Sequence, residues 1–164
     1  MRKNWILGSL LLFDTSSAVA QTPMSAVGIC APANPSYLIR VGDHPGHAYG
    51  LAQGTCAWSE PWEIAGLKNT QGVGTQLQEV TGNTTKIRGT FVDDMANGDK
   101  AFYSFEFTLL TTAAVPQVKD HKWELLGGTG KLQGVKGRGT CTAAAVGSTG
   151  DFRYECRGEH TLAK

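Results

Sequence analysis

The side chains best equipped for chemistry in this sequence are its histidines, a few carboxylates and its cysteines. His121 stands in His121-Lys122-Trp123-Glu124-Leu125, where apolar and polar residues alternate. In an extended strand that alternation puts His121, Trp123 and Leu125 on one face and Asp120, Lys122 and Glu124 on the other. An imidazole on an apolar face can act as acid or base near neutral pH. A core histidine bonded to a tyrosine or to backbone is the plainer reading, so His121 is a catalytic candidate that the core reading outweighs. Asp43, His44 and His47 offer two imidazoles and a carboxylate, an adequate set for a transition metal. Pro45-Gly46 marks a turn there, exposed turn histidines need no ligand, and no metal is expected.

Other motifs fail on spacing. Asp93-Asp94-Met95-Ala96-Asn97-Gly98-Asp99 has Met95 at the third position of a calcium loop and Ser104 at the twelfth, and reads as a solvated hairpin tip. Gly127-Gly128-Thr129-Gly130-Lys131 lacks the spacing of a phosphate loop and no long helix follows it, so it reads as a turn. Neither a G-x-S-x-G nor an H-E-x-x-H pattern is present, and no cofactor is expected. Trp58, Glu60 and Trp62, around Pro61, either line a cavity mouth or cap a core; capping is preferred. Asn83-Thr84-Thr85 fits a glycosylation sequon, which matters only in a eukaryotic host.

The elements that must position these residues are strands. The chain has 21 glycines, near twice the usual share of about 7%, and many separate short runs of Thr, Val, Phe and Tyr. Two hairpins can be read in register. A three-residue loop Ala96-Asn97-Gly98, with Gly98 left-handed, sets Ile87 opposite Phe107, Gly89 opposite Phe105 and Phe91 opposite Tyr103. The other face then carries Arg88 opposite Glu106, Thr90 opposite Ser104 and Asp94 opposite Lys100. Glu106 is thereby excluded from any cavity. A two-residue Asn-Gly turn would put Phe105 and Phe107 on a face with Lys86 and Arg88, so it is rejected. Phe105 over Gly89 is an aromatic covering a strand glycine.

The second hairpin turns at Gly147-Ser148-Thr149-Gly150 and sets Ala145 opposite Phe152, Ala143 opposite Tyr154 and Arg138 opposite Glu159. Cys141 then faces Cys156. Directly opposed residues at a non-hydrogen-bonded site lie about 4.5 Å apart at Cα, inside the range of a disulfide. That pairing leaves Cys30 with Cys56; another hairpin register would undo it, and buried thiols are the alternative. With further strands at Tyr37 to Val41, Gly54 to Trp58 and Thr75 to Val80, the count reaches seven or eight. One antiparallel sheet curling shut would bury all their apolar faces and hide its edges.

The opening residues read as an export signal over 1–20: Arg2 and Lys3, an apolar run from Trp5 to Phe13, then Ser17-Ala18-Val19-Ala20 before a cut near Ala20. The run is short of the roughly 20 residues that span a bilayer, and no later stretch is long enough. Export to the periplasm or outside the cell agrees with an even number of cysteines read as disulfides. Cleavage removes Arg2, Lys3 and Asp14 and leaves acidic and basic side chains in equal number, which argues against a nucleic-acid partner. Residues 21–35, rich in Pro, Ala and Ser, read as an irregular arm tied down through Cys30, and 36–164 as the barrel domain.

The most distinctive stretch is Gly127 to Thr140, Gly-Gly-Thr-Gly-Lys-Leu-Gln-Gly-Val-Lys-Gly-Arg-Gly-Thr. It resembles the G-G-T-G-[KR]-[FL]-x-G-x-x-G-x-G segment of bacterial proteins with an allene oxide cyclase-like barrel, of which plant dirigent proteins carry a related version. Leu132 stands where an aromatic is commoner. The glycines serve turns and close backbone approach, while Leu132 and Val135 plug the core. The resemblance implies an all-β fold, an eight-stranded antiparallel β-barrel of calycin type, with a central apolar cavity. It also implies that a homotrimer, as in the plant members, is open to this chain. The acids and bases of the plant proteins find no match here, so the fold is implied and the activity is not. Trp58, Tyr103, Phe105, His121, Trp123 and Tyr154 are the residues expected to line the interior. Three functions stand open: a barrel that binds a small apolar molecule without catalysis, the preferred one; a cyclase or isomerase using His121; and a structural or assembly protein whose barrel is filled.

Overall fold

The computed structural model describes residues 21–112 and 115–163; the export-signal reading lies outside them. Ten strands run in chain order: β1 (Thr22–Cys30), β2 (Ser36–Arg40), β3 (His47–Glu60), β4 (Glu63–Ile64), β5 (Leu67–Thr81), β6 (Thr84–Met95), β7 (Lys100–Leu110), β8 (Gln117–Gly128), β9 (Lys136–Val146) and β10 (Asp151–Thr161). Eight of them close a barrel, in the order β1, β10, β9, β8, β7, β6, β5, β3 and back to β1, all neighbours antiparallel. β2 continues past β1 along the same edge of β3, and β4 is a two-residue partner of β5.

The register of both hairpins is the one that pairs apolar with apolar. Ile87 faces Phe107, Gly89 faces Phe105, Phe91 faces Tyr103 and Arg88 faces Glu106, and Gly98 takes φ +88. Ala145 faces Phe152, Ala143 faces Tyr154 and Cys141 faces Cys156. Arg138 pairs with Glu159 at 3.2 Å, and Lys100 with Asp94. Both disulfides, Cys30–Cys56 and Cys141–Cys156, are formed, with no cysteine free among the described residues. Such a chain belongs outside the reducing cytoplasm.

The arm expected at 21–35 is a correction. Its first part is β1, paired with β10 over its whole length and with β3 through Val27 to Cys30. Its inward positions are Met24, Ala26 and Gly28, the last two small residues of low strand propensity. Gly28 is obligatory, since a Cβ there would lie 2.7 Å from the Trp58 ring. Only the stretch 31–35 is irregular.

The glycine motif builds the core. Gly139 and Gly158 leave the bed on which the Trp123 indole lies, where a Cβ would come within 2.3 and 2.4 Å of the ring. Leu132, in the short 3-10 turn Gly130–Leu132, and Val135 are fully buried. With Met24, Trp62, Ile64, Met95 and Leu125 they plug the end of the barrel where β6 turns into β7 and β8 into β9.

Candidate functional site

Above that plug the barrel is hollow. The two walls differ in bulk. β3 and β5 turn Gly54, Gly74, Gln76 and Gln78 inward, while β6, β7, β8 and β10 turn in Phe91, Tyr103, Phe105, Phe107, His121, Trp123, Phe152 and Tyr154. Small residues facing rings leave a cavity of about 340 Å³. It opens toward the far end, beneath Ala31, Pro32 and Ala33 and the β9–β10 turn. Pro32 packs there against Gly150, where a Cβ would be 3.3 Å from its Cγ. The Cys30–Cys56 disulfide anchors the root of this rim. All six residues expected to line the interior, Trp58, Tyr103, Phe105, His121, Trp123 and Tyr154, lie on this cavity.

His121 faces inward in alternation with Trp123 and Leu125, and a β-bulge begins beside it. Glu106 pairs with Lys122 but Thr108 pairs with Lys119, so Asp120 and His121 together oppose Phe107. Asp120 takes φ +54. Past the bulge the inward set changes parity and Val118 joins the wall, which keeps Lys119 outside. The imidazole packs among Phe105, Phe107 and Tyr154, with centroids 6.1, 5.0 and 5.5 Å away. Its buried Nδ1 has no hydrogen-bond partner. Burial lowers its pKa to about 4 and raises that of Tyr154 to about 12, so both are neutral at physiological pH. No second group orients the imidazole, as an acid–base histidine requires.

The floor holds a residue that sequence reasoning placed elsewhere. Asp93, read as part of a solvated hairpin tip, is completely buried. Its Oδ1 accepts the Trp58 indole N–H at 2.6 Å; its Oδ2 accepts the Trp62 indole N–H at 3.2 Å and the Asn69 amide at 3.1 Å. Desolvation outweighs these bonds and raises its pKa to about 7. The signal was present in the β6–β7 register: two residues beyond Phe91, Asp93 shares the inward face and lies opposite Ala101. Trp62 is the centre of the floor, stacked on Tyr103 at 5.4 Å and tilted against Trp58 and Trp123 at 5.3 and 5.2 Å. It caps the core, Trp58 packs beside it, and both rings also border the cavity. The buried Tyr103 hydroxyl and Trp123 indole N–H, like His121 Nδ1, lack a partner in the protein.

No family model matches the sequence, and no curated protein matches it. Solved structures do match the fold. The pterocarpan synthase dirigent protein GePTS1 aligns at a TM-score of 0.50 and 13% identity, over 95% of this chain and 98% of its own. The pterocarpan synthase dirigent protein PsPTS1 aligns at 0.50 and 12% identity, over 88% and 97%. The chain therefore has a dirigent-like fold, a closed eight-stranded antiparallel barrel matched over nearly its whole length.

Proposed function

We propose that this barrel binds a small, mainly apolar molecule in its interior without transforming it. One observation carries the reading: the cavity is walled by aromatic rings, while the one buried carboxyl among the described residues, Asp93, is held behind Trp58 and Trp62 by three donors. A carboxyl so placed shapes the floor and does not meet a ligand. What the wall does offer is neutral: His121, Tyr154 and the unpartnered Tyr103 hydroxyl and Trp123 N–H. A few polar tips in an apolar chamber fix a ligand's orientation, and a volume of about 340 Å³ suits a small one. The cyclase or isomerase alternative is disfavoured by an imidazole with pKa about 4, far from the neutral value an efficient base needs. A filled barrel would leave no chamber for the rings to line.

The neutral fluorophore N-phenyl-1-naphthylamine tests the proposal. It is expected to bind saturably, one per barrel, with quenching of tryptophan emission. Gly54 has the cavity beside it, with nothing closer than 3.8 Å to a Cβ placed there. Gly54→Leu should therefore fill the chamber and abolish binding while the circular dichroism stays unchanged. Probe bound equally well by Gly54→Leu, or not bound by the unmodified protein, would overturn the reading.

A further inference from the structure

Outside the barrel, the loop between β2 and β3 gathers a second constellation. Asp43, His44 and His47 bring one ligating atom each within 4.8 Å of one another. The Asp43 carboxylate is the hub. His47 Nδ1 lies 2.7 Å from its Oδ1 and 2.9 Å from its Oδ2, and His44 Nε2 lies 3.7 Å from its Oδ2. The two imidazoles are parallel within 3°, with centroids 4.6 Å apart. A tetrahedral ion bonded at 2.0–2.1 Å to such donors separates them by about 3.3 Å. The present separations bracket that value, and an ion would be seated if the exposed His44 ring swung out of its parallel stack on the largely covered His47, so that both ring planes contain the ion.

We propose that Asp43, His44 and His47 form a binding site for a divalent transition-metal ion of the zinc type, with the remaining positions filled by water. Two imidazoles and a carboxylate select such an ion over calcium or magnesium, which take oxygen ligands.

Two further features suit the site to the task. Each imidazole has an acceptor near its other nitrogen: His44 Nδ1 lies 3.5 Å from the Pro45 carbonyl, and His47 Nε2 lies 3.9 Å from Glu79 Oε1, which a small movement would bring into hydrogen-bond range. Partners of that kind fix the tautomer and ring plane of metal-ligating histidines. On binding, the His47 proton moves from Nδ1 to Nε2 and points at Glu79, and the Nδ1 lone pair goes to the ion. The loop is also braced. Gly46 takes φ +77, its carbonyl accepts from Gly82 N–H at 3.2 Å, and the His47 carbonyl accepts from Val41 N–H at 3.1 Å. His47 begins β3 in register with Thr81, so it rests on the barrel, while His44 is free to adjust.

Isothermal titration of the tag-free protein with Zn²⁺ in a non-chelating buffer tests this. One ion should bind per chain. Binding should disappear in His47→Ala and in His44→Ala, and persist in His121→Ala, which removes a histidine from the cavity instead. His44 is exposed, so its substitution leaves the barrel intact, and the near-ultraviolet circular dichroism of the floor tryptophans reports that directly. Absence of saturable binding, or binding that survives His44→Ala and His47→Ala alike, overturns the proposal. Because the loop lies outside the cavity, the fluorophore result and the zinc result stand or fall separately.

Discussion

The two ends of the barrel share the same strands and are built on opposite principles. At the closed end Trp62, Ile64, Met95, Leu132 and Val135 interlock, and a buried carboxyl ties two indoles and an amide together. At the open end the same β3 and β5 present glycines and glutamines to a row of rings, and the space between them stays empty of side chains. The closed end specifies the fold through tight packing and a polar network centred on Asp93; the open end trades packing for a chamber. Stability and binding are thus segregated along the barrel axis, and substitutions at the two ends should separate them.

The largest effect should come from Asp93→Ala. It strands the donors of Trp58, Trp62 and Asn69 in a dry floor, at roughly 1–3 kcal/mol for each unsatisfied group, partly relieved if water enters. A loss of about 3 kcal/mol or more in urea denaturation is expected; a loss under about 1 kcal/mol would mean that the network contributes little.

Next come the disulfides. Cys141–Cys156 and Cys30–Cys56 span 15 and 26 residues, for which chain entropy gives about 3 kcal/mol each, slightly more for the longer loop. Serine pairs at either bridge should lower the unfolding midpoint similarly. Both bridges border the chamber, but loss of Cys30–Cys56 should weaken fluorophore binding more, because that bridge also roots the rim at 31–35. Equal binding in both serine pairs would argue that the rim does not shape the chamber.

A comparable effect is hidden in the pH dependence. Asp93 keeps its proton in the folded chain up to about 7, whereas the unfolded chain releases it near the ordinary carboxyl value of 3.8. Between those values the folded state holds the extra proton, so stability falls as pH rises. His121 is the reverse. It stays neutral in the fold down to about 4, while the unfolded chain takes up a proton near 6.5, so stability falls as pH drops through that window. His160, also pushed down by burial, adds to the second slope. Each slope amounts to a few kcal/mol by order of magnitude, and they oppose. The protein should therefore show a shallow profile between about pH 4.5 and 7. Asp93→Asn should leave stability rising with pH, and His121→Phe should leave it falling. Parallel profiles for the two variants would contradict this assignment.

The smallest effect tests the glycine bed between the two ends. Gly158→Ala drives a methyl group into the Trp123 ring and the Arg138 carbonyl, 2.4 and 2.3 Å away. Overpacking of this kind costs about 1–3 kcal/mol. A variant as stable as the parent would show that the ring can shift without loss.

Much of this architecture was legible in local pattern. Ile87, Phe91, Phe105 and Phe107 could share a face in one register only, and the same test set Cys141 against Cys156. Leu132 and Val135 stood out as plugs between glycines. β1 was not legible, because Ala26 and Gly28 face inward as small residues, and what makes Gly28 necessary is Trp58, far away in sequence. Asp93 was missed because acidic residues flanking a turn resemble a solvated tip; continuing the alternation from Phe91 would have turned it inward.

The sequence by itself determined most of the strands, the registers of two hairpins, the one that sets Cys141 opposite Cys156 among them, and which rings point into a common interior, since all of these follow from alternation and neighbour pairing. Only the tertiary structure decided that the interior is open at one end and shut at the other. Closure brings β3 and β5, whose large side chains Tyr49, Leu51 and Leu77 face outward, against the aromatic strands. Whether facing walls meet depends on the distance between residues that no local pattern relates.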